Sequence, residues 1–542
     1  MQVSRPFLWL LDGLTIAFSL WIRYKAVLFV RHQPWGEMLL EEIVLLWLTY
    51  CVLWVIQWLG SDRQSVKLEK SSLRRSAWGL CVSITSGRFD RRLQSLAFAS
   101  LAATTLFPIM ALDFVYRAQI LHSSPELAFS RMGYVSDNTA NVIVRYPEAT
   151  VIQIEYRPLT SKAWLTGDVI STIPADDYVG TFKLEHLEPA TEYQYRTNTS
   201  HVGTFSTPSF DPKRFTIVSS SCIKPGFPYN PVGHPLHVGG LTHLTTFLQS
   251  TKVDMMLFLG DFIYIDLPRR FGFAVEDYQK AYRQVYASPT WTPELRALPW
   301  IHAYDDHELT NNWSSNETGL YQKAIRPFLA YQHQGNPDPV KEGATYYTFS
   351  KGNVSFFVLD TRRYRSLSSL PDDESKTMLG AEQLSLLKTW LRTAPGWKVV
   401  LSSVPFTRNF QAADEEDYWA GYLTERREIL EVMWETEGVL IITGDRHEHA
   451  TTAFPAPGTN DTRVIEFSTS PLSQFVNPFV KDYSQVDESD RAIYYHHEGL
   501  SKFGSFTFDT SDSKVWTMEF ELIVDGEKAW SYTVEQRKPG SS

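Results

Sequence analysis

Cysteine is almost missing from this 542-residue chain. Only Cys51, Cys81 and Cys222 occur. Cys51 lies in an apolar segment and Cys81 among basic residues, so neither is a natural partner for Cys222. A disulfide framework is therefore excluded for the larger, C-terminal part. Cys222 is either an inert buried thiol or a ligand. Positive charge is also scarce where a nucleic-acid partner would need it. Residues 1–120 carry 13 Lys/Arg against 8 Asp/Glu, whereas the remainder carries 38 against 53. An acidic main body offers no basic face to a phosphate backbone, and it suits a protein that concentrates cations. Compositional signs of disorder are lacking too: 14% aromatic and 43% hydrophobic residues can build large cores. The length exceeds one ordinary domain, so two or three units are expected.

The first unit, residues 1–120, has three apolar segments, at about 7–22 (interrupted by Asp12), 43–59 and 96–112. Each approaches the length needed to cross a bilayer as a helix. The stretch 61–95 carries eight Lys/Arg, which assigns it to the cytosolic side and everything after about residue 120 to the lumenal or extracellular side. Glycosylation triplets at Asn198, Asn312, Asn316, Asn353 and Asn460 all fall on that side. The expectation is an integral membrane protein anchored by about three helices.

Residues 122–210 alternate in short runs, at 141–146, 150–157, 180–184, 192–198 and 202–205, separated by turn residues. The pattern predicts a β-sandwich. The run from Leu187 to Tyr195 resembles the tyrosine-corner segment of fibronectin type III modules, in which a Tyr hydroxyl ties a loop to the backbone. No charged constellation suggests chemistry here.

Residues 214–535 repeat one arrangement, an apolar strand with polar residues immediately after it. The strand near 214–219 leads to Ser221 and Cys222. Met255–Leu259 leads to Gly260, Asp261 and Tyr264. Trp300–Ala303 leads to Asp305, Asp306, His307 and Glu308, and Val439–Thr443 to Asp445 and His447. A lone Asp after a strand is usually a helix cap, but four such ends make a rim of metal-ligand types, placed where open α/β sheets hold their ligands. A thiolate from Cys222 and a phenolate from Tyr264 suit Fe³⁺. Oxygen ligands from Asp306, Asn311 or Asn312, and Asp445 suit Ca²⁺, Mg²⁺ or Mn²⁺, and Asp261 stands between the two sets.

These residues, in this order, resemble the PhoD-type alkaline phosphatases, a branch of the calcineurin-like metallophosphoesterases. Further matches are Leu359-Asp360-x-Arg362-x-Tyr364-Arg365, Leu379-Gly380-x-x-Gln383 and Trp419-x-Gly421-Tyr422-x-x-x-Arg426. The resemblance covers roughly 122–535. It implies an α/β fold of two stacked mixed β-sheets flanked by helices, a four-layer sandwich preceded by the β-domain. It implies Fe³⁺ held by Cys222, Asp261 and Tyr264, with Ca²⁺ nearby on Asp261, Asp445 and Asn311 or Asn312, and His447 in the same site; Mg²⁺, Mn²⁺ and Zn²⁺ stay open. The implied reaction is hydrolysis of a phosphate monoester or diester by a metal-bound hydroxide. His307 is the expected proton donor, oriented by Asp306 or Glu308. Arg362 or Arg365 either clamps a phosphate oxygen or forms a structural ion pair. Asp360 is either a ligand or a turn residue. Alternatives are a membrane-proximal lipid or glycolipid phosphodiesterase and a non-catalytic binding ectodomain, the intact motif set standing against the last.

Overall fold

In the computed structural model, the described residues are 5–32, 37–60, 73–90, 94–199, 201–268, 272–411, 415–459, 462–476 and 481–537. The chain divides into two units, one comprising Met1–His122 with the short segments Pro228–Pro235 and Leu267–Arg270, the other the remaining residues.

The first unit contains helices α1 (Arg5–Arg31), α2 (Glu37–Gly60), α3 (Leu73–Ser86) and α4 (Gln94–Leu121). Three of them, over Trp9–Arg31, Leu39–Leu59 and Gln94–Leu121, are long and apolar enough to cross a membrane. All outrun the predicted segments, and polar residues within and beyond those segments are bonded between helices. Gln57 donates to Asp12 (2.9 Å), Lys25 meets Glu42 (3.0 Å) and Trp47 donates to Thr105 (3.1 Å). Asp12 therefore does not interrupt α1. Helix α3 corrects the reading of 61–95 as loop; residues 61–72 and 91–93 lie outside the described residues. At the end of α4, Arg117 donates to the carbonyls of Asn230 (2.9 Å) and Pro231 (2.6 Å), and Asp113 accepts from Tyr229 (3.0 Å).

The second unit begins with seven strands: β1 (Phe129–Val135), β2 (Ala140–Arg145), β3 (Val151–Pro158), β4 (Leu165–Ser171), β5 (Val179–Leu184), β6 (Glu192–Thr197) and β7 (Val202–Ser206). They form a sheet β1-β2-β5 and a sheet β4-β3-β6-β7 around one apolar core that includes Met132, Val142, Ile154, Phe182 and Phe205. The Tyr193 hydroxyl accepts the Glu188 N–H at 2.8 Å, tying the 187–193 turn to the sheet. Strands β1 and β4 escaped the sequence pattern. Buried Arg131 breaks the alternation of β1 because its guanidinium serves the Tyr331 carbonyl (2.7 Å). Asp177, after β4, binds both Arg145 (2.9 Å) and Arg283 (2.5 Å), joining the sandwich to the C-terminal body.

That body comprises β8 (Arg214–Ser220), α5 (Gly239–Ser250), β9 (Met255–Leu259), α6 (Val275–Tyr286), α7 (Pro293–Ala297), β10 (Trp300–Ala303), α8 (Tyr321–Tyr331), β11 (Tyr347–Lys351), β12 (Val354–Val358), α9 (Gly380–Thr393), β13 (Trp397–Leu401), α10 (Leu423–Trp434), β14 (Val439–Thr443), β15 (His449–Ala453), β16 (Ile465–Thr469), β17 (Arg491–His496), β18 (Lys502–Asp509), β19 (Val515–Val524) and β20 (Glu527–Arg537). One mixed sheet runs β10-β9-β8-β18-β19-β20, the other β11-β12-β13-β14-β16-β15-β17. Strand alternation builds the layers. Ile217, Leu257 and Leu259 meet Phe356, Val399 and Ile442 in a core between the sheets. On the opposite faces Val218, Met256 and Phe258 pack under α5, α6 and α8, and Phe357, Val400 and Ile441 under α9 and α10. Strands buried on both faces read as continuous apolar runs. Within each sheet the core strands are parallel, β8-β9-β10 and β12-β13-β14-β16, so each set delivers its carboxyl ends to one edge.

Candidate metal centre

The chain turns sharply as it leaves three of these strands. Cys222, Asp261, Asp445 and His447 all have left-handed backbones, with φ of 64°, 57°, 76° and 58°. Each such residue costs about 1–3 kcal/mol and persists only where its surroundings enforce it. Glu308 supplies much of that enforcement. Its buried carboxylate accepts the N–H groups of Asp261 (2.9 Å), Phe262 (2.5 Å) and Asp305 (2.8 Å), locking the β9 and β10 exits together. The Cys222 N–H bonds the Gly260 carbonyl (3.1 Å), and the Asp445 N–H bonds Ser221 Oγ (3.0 Å). Gly260 sits at φ 95°, and a Cβ there would lie 2.5 Å from the Asp305 Cβ, so the close approach of the two exits requires glycine.

Three overlapping groups of side chains result, each with its ligand atoms within 4.8 Å of one another: Cys222, Asp261 and His447; Asp261, Asp306 and His307; and Asp261, Asp305, Asp306 and Asp445. Asp261 belongs to all three. The Tyr264 hydroxyl donates to Asp261 Oδ2 (2.9 Å) and stands 3.1 Å from His447 Nε2, while Cys222 Sγ is 3.3 Å from the same Asp261 oxygen. Three buried carboxylate oxygens, Asp305 Oδ2, Asp306 Oδ1 and Asp445 Oδ2, have no hydrogen-bond donor. Guanidinium groups approach two of them only to 3.6 Å (Arg362 and Asp306) and 3.9 Å (Arg446 and Asp445). Buried acceptors normally find donors, so these oxygens fit a cation.

Titration agrees. Burial, reinforced by neighbouring carboxylates, pushes Asp261 and Asp445 well above the usual carboxylate range. Burial carries Asp305 to about 6 against the pull of Arg362, and Glu308 to about 8. Burial and the Asp261 charge raise the Cys222 thiol and the Tyr264 phenol, and burial lowers His447. Crowded anions of this kind hold protons until a cation replaces them.

His307 behaves differently. Burial opposes its charge, yet Asp266, Asp306 and Asp261 together lift it well above its ordinary value. Its Nδ1 lies 2.8 Å from Asp266 Oδ1, whose other oxygen accepts the Asn311 N–H at 2.6 Å. Asp266, five residues past Asp261, thus orients the imidazole, correcting the expectation of Asp306 or Glu308. Asp306 instead joins the carboxylate cluster, with Asp305, which the sequence pattern did not single out as a ligand.

Other expectations shift as well. Arg362 is fully buried, its guanidinium taken by Asp305 (2.5 Å), Asp417 (2.5 and 2.9 Å) and the Trp313 carbonyl (3.3 Å), and Arg365 also binds Asp417 (3.0 Å). Both arginines are buried and held in ion pairs, which favours the structural role over a phosphate clamp, and Asp417 of the acidic 405–422 stretch is the shared anchor. Asp360 is a turn and packing residue, accepting from Tyr304 (2.8 Å) and the N–H groups of Arg362 and Arg363 (both 2.9 Å). Asn311 reaches the site through its backbone while its side chain is exposed; Asn312 is half-buried, at φ 57°, with its N–H on Asp306 (2.5 Å). Asn198 and Asn316 are exposed, Asn353 is half-buried, and Asn460 lies outside the described residues. His449 is buried between the sheets and His497 binds Glu448 (2.6 Å), so neither enters the site.

A four-layer α/β/β/α body with a carboxylate, thiol and imidazole cluster at its strand ends has the fold of the calcineurin-like phosphoesterases. The solved structure of PhoD superposes with a TM-score of 0.59 over 76% of this chain and 90% of that one, at 18% identity. Purple acid phosphatase from yellow lupin seeds superposes with a TM-score of 0.54 over 74% and 73%, at 13% identity. The PhoD-like phosphatase family model matches residues 232–520, and the chain belongs to that family. Alkaline phosphatase D of Bacillus subtilis is 27% identical over 315 residues, 48% of this chain; the alignment spans about half of the relative, 52%. Cys222 and the β-sandwich precede the segment matched by the family model.

Proposed function

We propose that the chain is a metal-dependent phosphoric ester hydrolase working at the Asp261 cluster. The observation that carries this reading is that Asp305, Asp306 and Asp445 each keep a buried carboxylate oxygen without a hydrogen-bond partner, and each places a carboxylate oxygen within 4.8 Å of one from Asp261. Cys222, Tyr264, Asp261 and His447 would hold one cation, of the ferric type, and Asp261, Asp305, Asp306 and Asp445 a harder one such as Ca²⁺. Bound cations there would neutralise charge on the phosphoryl group and activate water for attack. The protein itself supplies a proton. His307 commits Nδ1 to Asp266, which leaves Nε2 to protonate the departing oxygen. The Tyr264 ring, its centroid 4.2 Å from that of His307 and tilted by 32°, limits the imidazole's movement. Arg362 acts from behind, pinning Asp305 to Asp417 rather than touching substrate.

The β-sandwich is read as a fibronectin-III-like module, supported by the tyrosine tie at Glu188 and Tyr193, and it braces the catalytic body. The apolar helices α1, α2 and α4 support membrane anchorage, with the catalytic body lumenal or extracellular. They also favour a substrate held near a bilayer, such as a lipid or glycolipid phosphodiester, as a second reading. Asp261→Asn tests the core proposal: it should abolish hydrolysis of aryl phosphate esters and lower the bound iron and calcium together. Retained turnover, or a purified protein carrying zinc alone, would overturn the assignment.

A further inference from the structure

A cleft of about 610 Å³ opens between strands β1, β6 and β7 of the sandwich and helix α7, and it shares no residue with the metal centre. Its volume lies in the range of roughly 300–1,000 Å³ typical of ligand pockets. Trp291, Phe129 and Tyr195 form apolar walls, and Arg296 stands among them. Among the described residues no carboxylate and no hydrogen-bond acceptor meets the Arg296 guanidinium, which lies 6.0 Å from the centroid of the Phe129 ring. Several buried arginines elsewhere in this unit meet carboxylates, Arg145 with Asp177, Arg362 with Asp305 and Arg426 with Asp490, while Arg131 meets the Met132 and Tyr331 carbonyls. Burial also pulls the Arg296 pKa downward. Arg296 is half-buried, so its charge is partly withdrawn from water with no counter-charge, and an arriving anion offsets that cost. Ser130 accepts the Tyr195 hydroxyl at 2.9 Å, which leaves its own proton to donate into the cleft.

We propose that this cleft binds a small organic anion with a flat apolar body, its carboxylate or phosphonate paired to Arg296 and its body held against Trp291 and Tyr195. The test is calorimetric titration of the full-length protein in detergent with benzoate, phenylphosphonate and neutral benzamide. At least one of the two anions should bind saturably in the millimolar range, and which one does so separates carboxylate from phosphorus ligands. Benzamide should not bind. Affinity should fall by about tenfold or more in Arg296→Gln, the loss of one charge-assisted contact. It should fall similarly in Val202→Trp, which fills the cleft from a position 60% exposed in the native chain. Binding should persist in Asp261→Asn. Absent saturation, equal binding of benzamide, or full affinity in both cleft variants overturns the proposal. Loss in Asp261→Asn alone would move the anion to the metal centre and also overturn it.

Discussion

Stripping cations from the centre should give a protein whose stability falls as pH rises. The perturbation is chelation of the full chain in detergent, followed by thermal melting across pH. Asp305 shows the size of the effect. Its folded-state pKa stands at about 6 against an ordinary 3.8. Below 3.8 both folded and unfolded chains are protonated and the group contributes nothing. Between 3.8 and about 6 the folded chain keeps a proton that the unfolded chain has lost, so stability declines with rising pH. At about 1.4 kcal/mol per pKa unit, the loss is about 3 kcal/mol once pH passes the folded value. Glu308 extends the decline towards about 8, and Asp261 and Asp445 act in the same direction. Asp266 and Asp417 are held below their ordinary values, so they oppose the trend only where they begin to protonate, at the acid end. Against a typical stability of about 5–15 kcal/mol these are large effects. Reloading iron and calcium should flatten the profile, since bound cations offset the charge that burial penalises. A stripped protein whose melting temperature is flat or rises with pH, or identical profiles with and without cations, would refute the cation site.

Asp266→Asn should slow alkyl phosphate hydrolysis roughly a hundredfold and aryl phosphate hydrolysis far less, because a poor leaving oxygen depends on the His307 proton; equal losses on both substrates would remove His307 from proton donation. Arg362→Ala should cost about 3–5 kcal/mol in chemical unfolding, since it leaves Asp305 buried without its cation and Asp417 with Arg365 alone; an inactive variant of unchanged stability would instead place the arginine on the substrate. Gly260→Ala should lose both bound metal and activity, because its Cβ would fall 2.5 Å from the Asp305 Cβ at φ 95°; a fully active alanine variant would show that the two strand exits can separate freely.

The sequence by itself determined the strand ends. Continuous apolar runs such as Met255–Leu259 and Val439–Thr443 mark strands buried on both faces, and the polar residues at the end of each run are its neighbours in the chain. Cys222, Asp261, Tyr264, Asp306, His307, Asp445 and His447 were therefore legible from spacing alone. The three apolar helices were legible for the same reason, although their ends were not, because polar residues beyond the apolar runs, such as Lys25 and Glu42, are paired between helices. Strands β1, β4, β11, β15 and β17 were hidden, and in β1 the cause is an inward arginine satisfied by a distant carbonyl. Tertiary structure alone decided roles. Asp305, Asp306 and Asp266 are chemically alike in the sequence, yet the fold gathers the first two with Asp261 and Asp445 and makes the third a partner of His307. By sequence Arg362 could clamp a phosphate or form an ion pair, and Asp417, 55 residues on, decides for the ion pair. Charge and hydrogen bonding act over a few ångströms, and only the folded chain says which groups come that close.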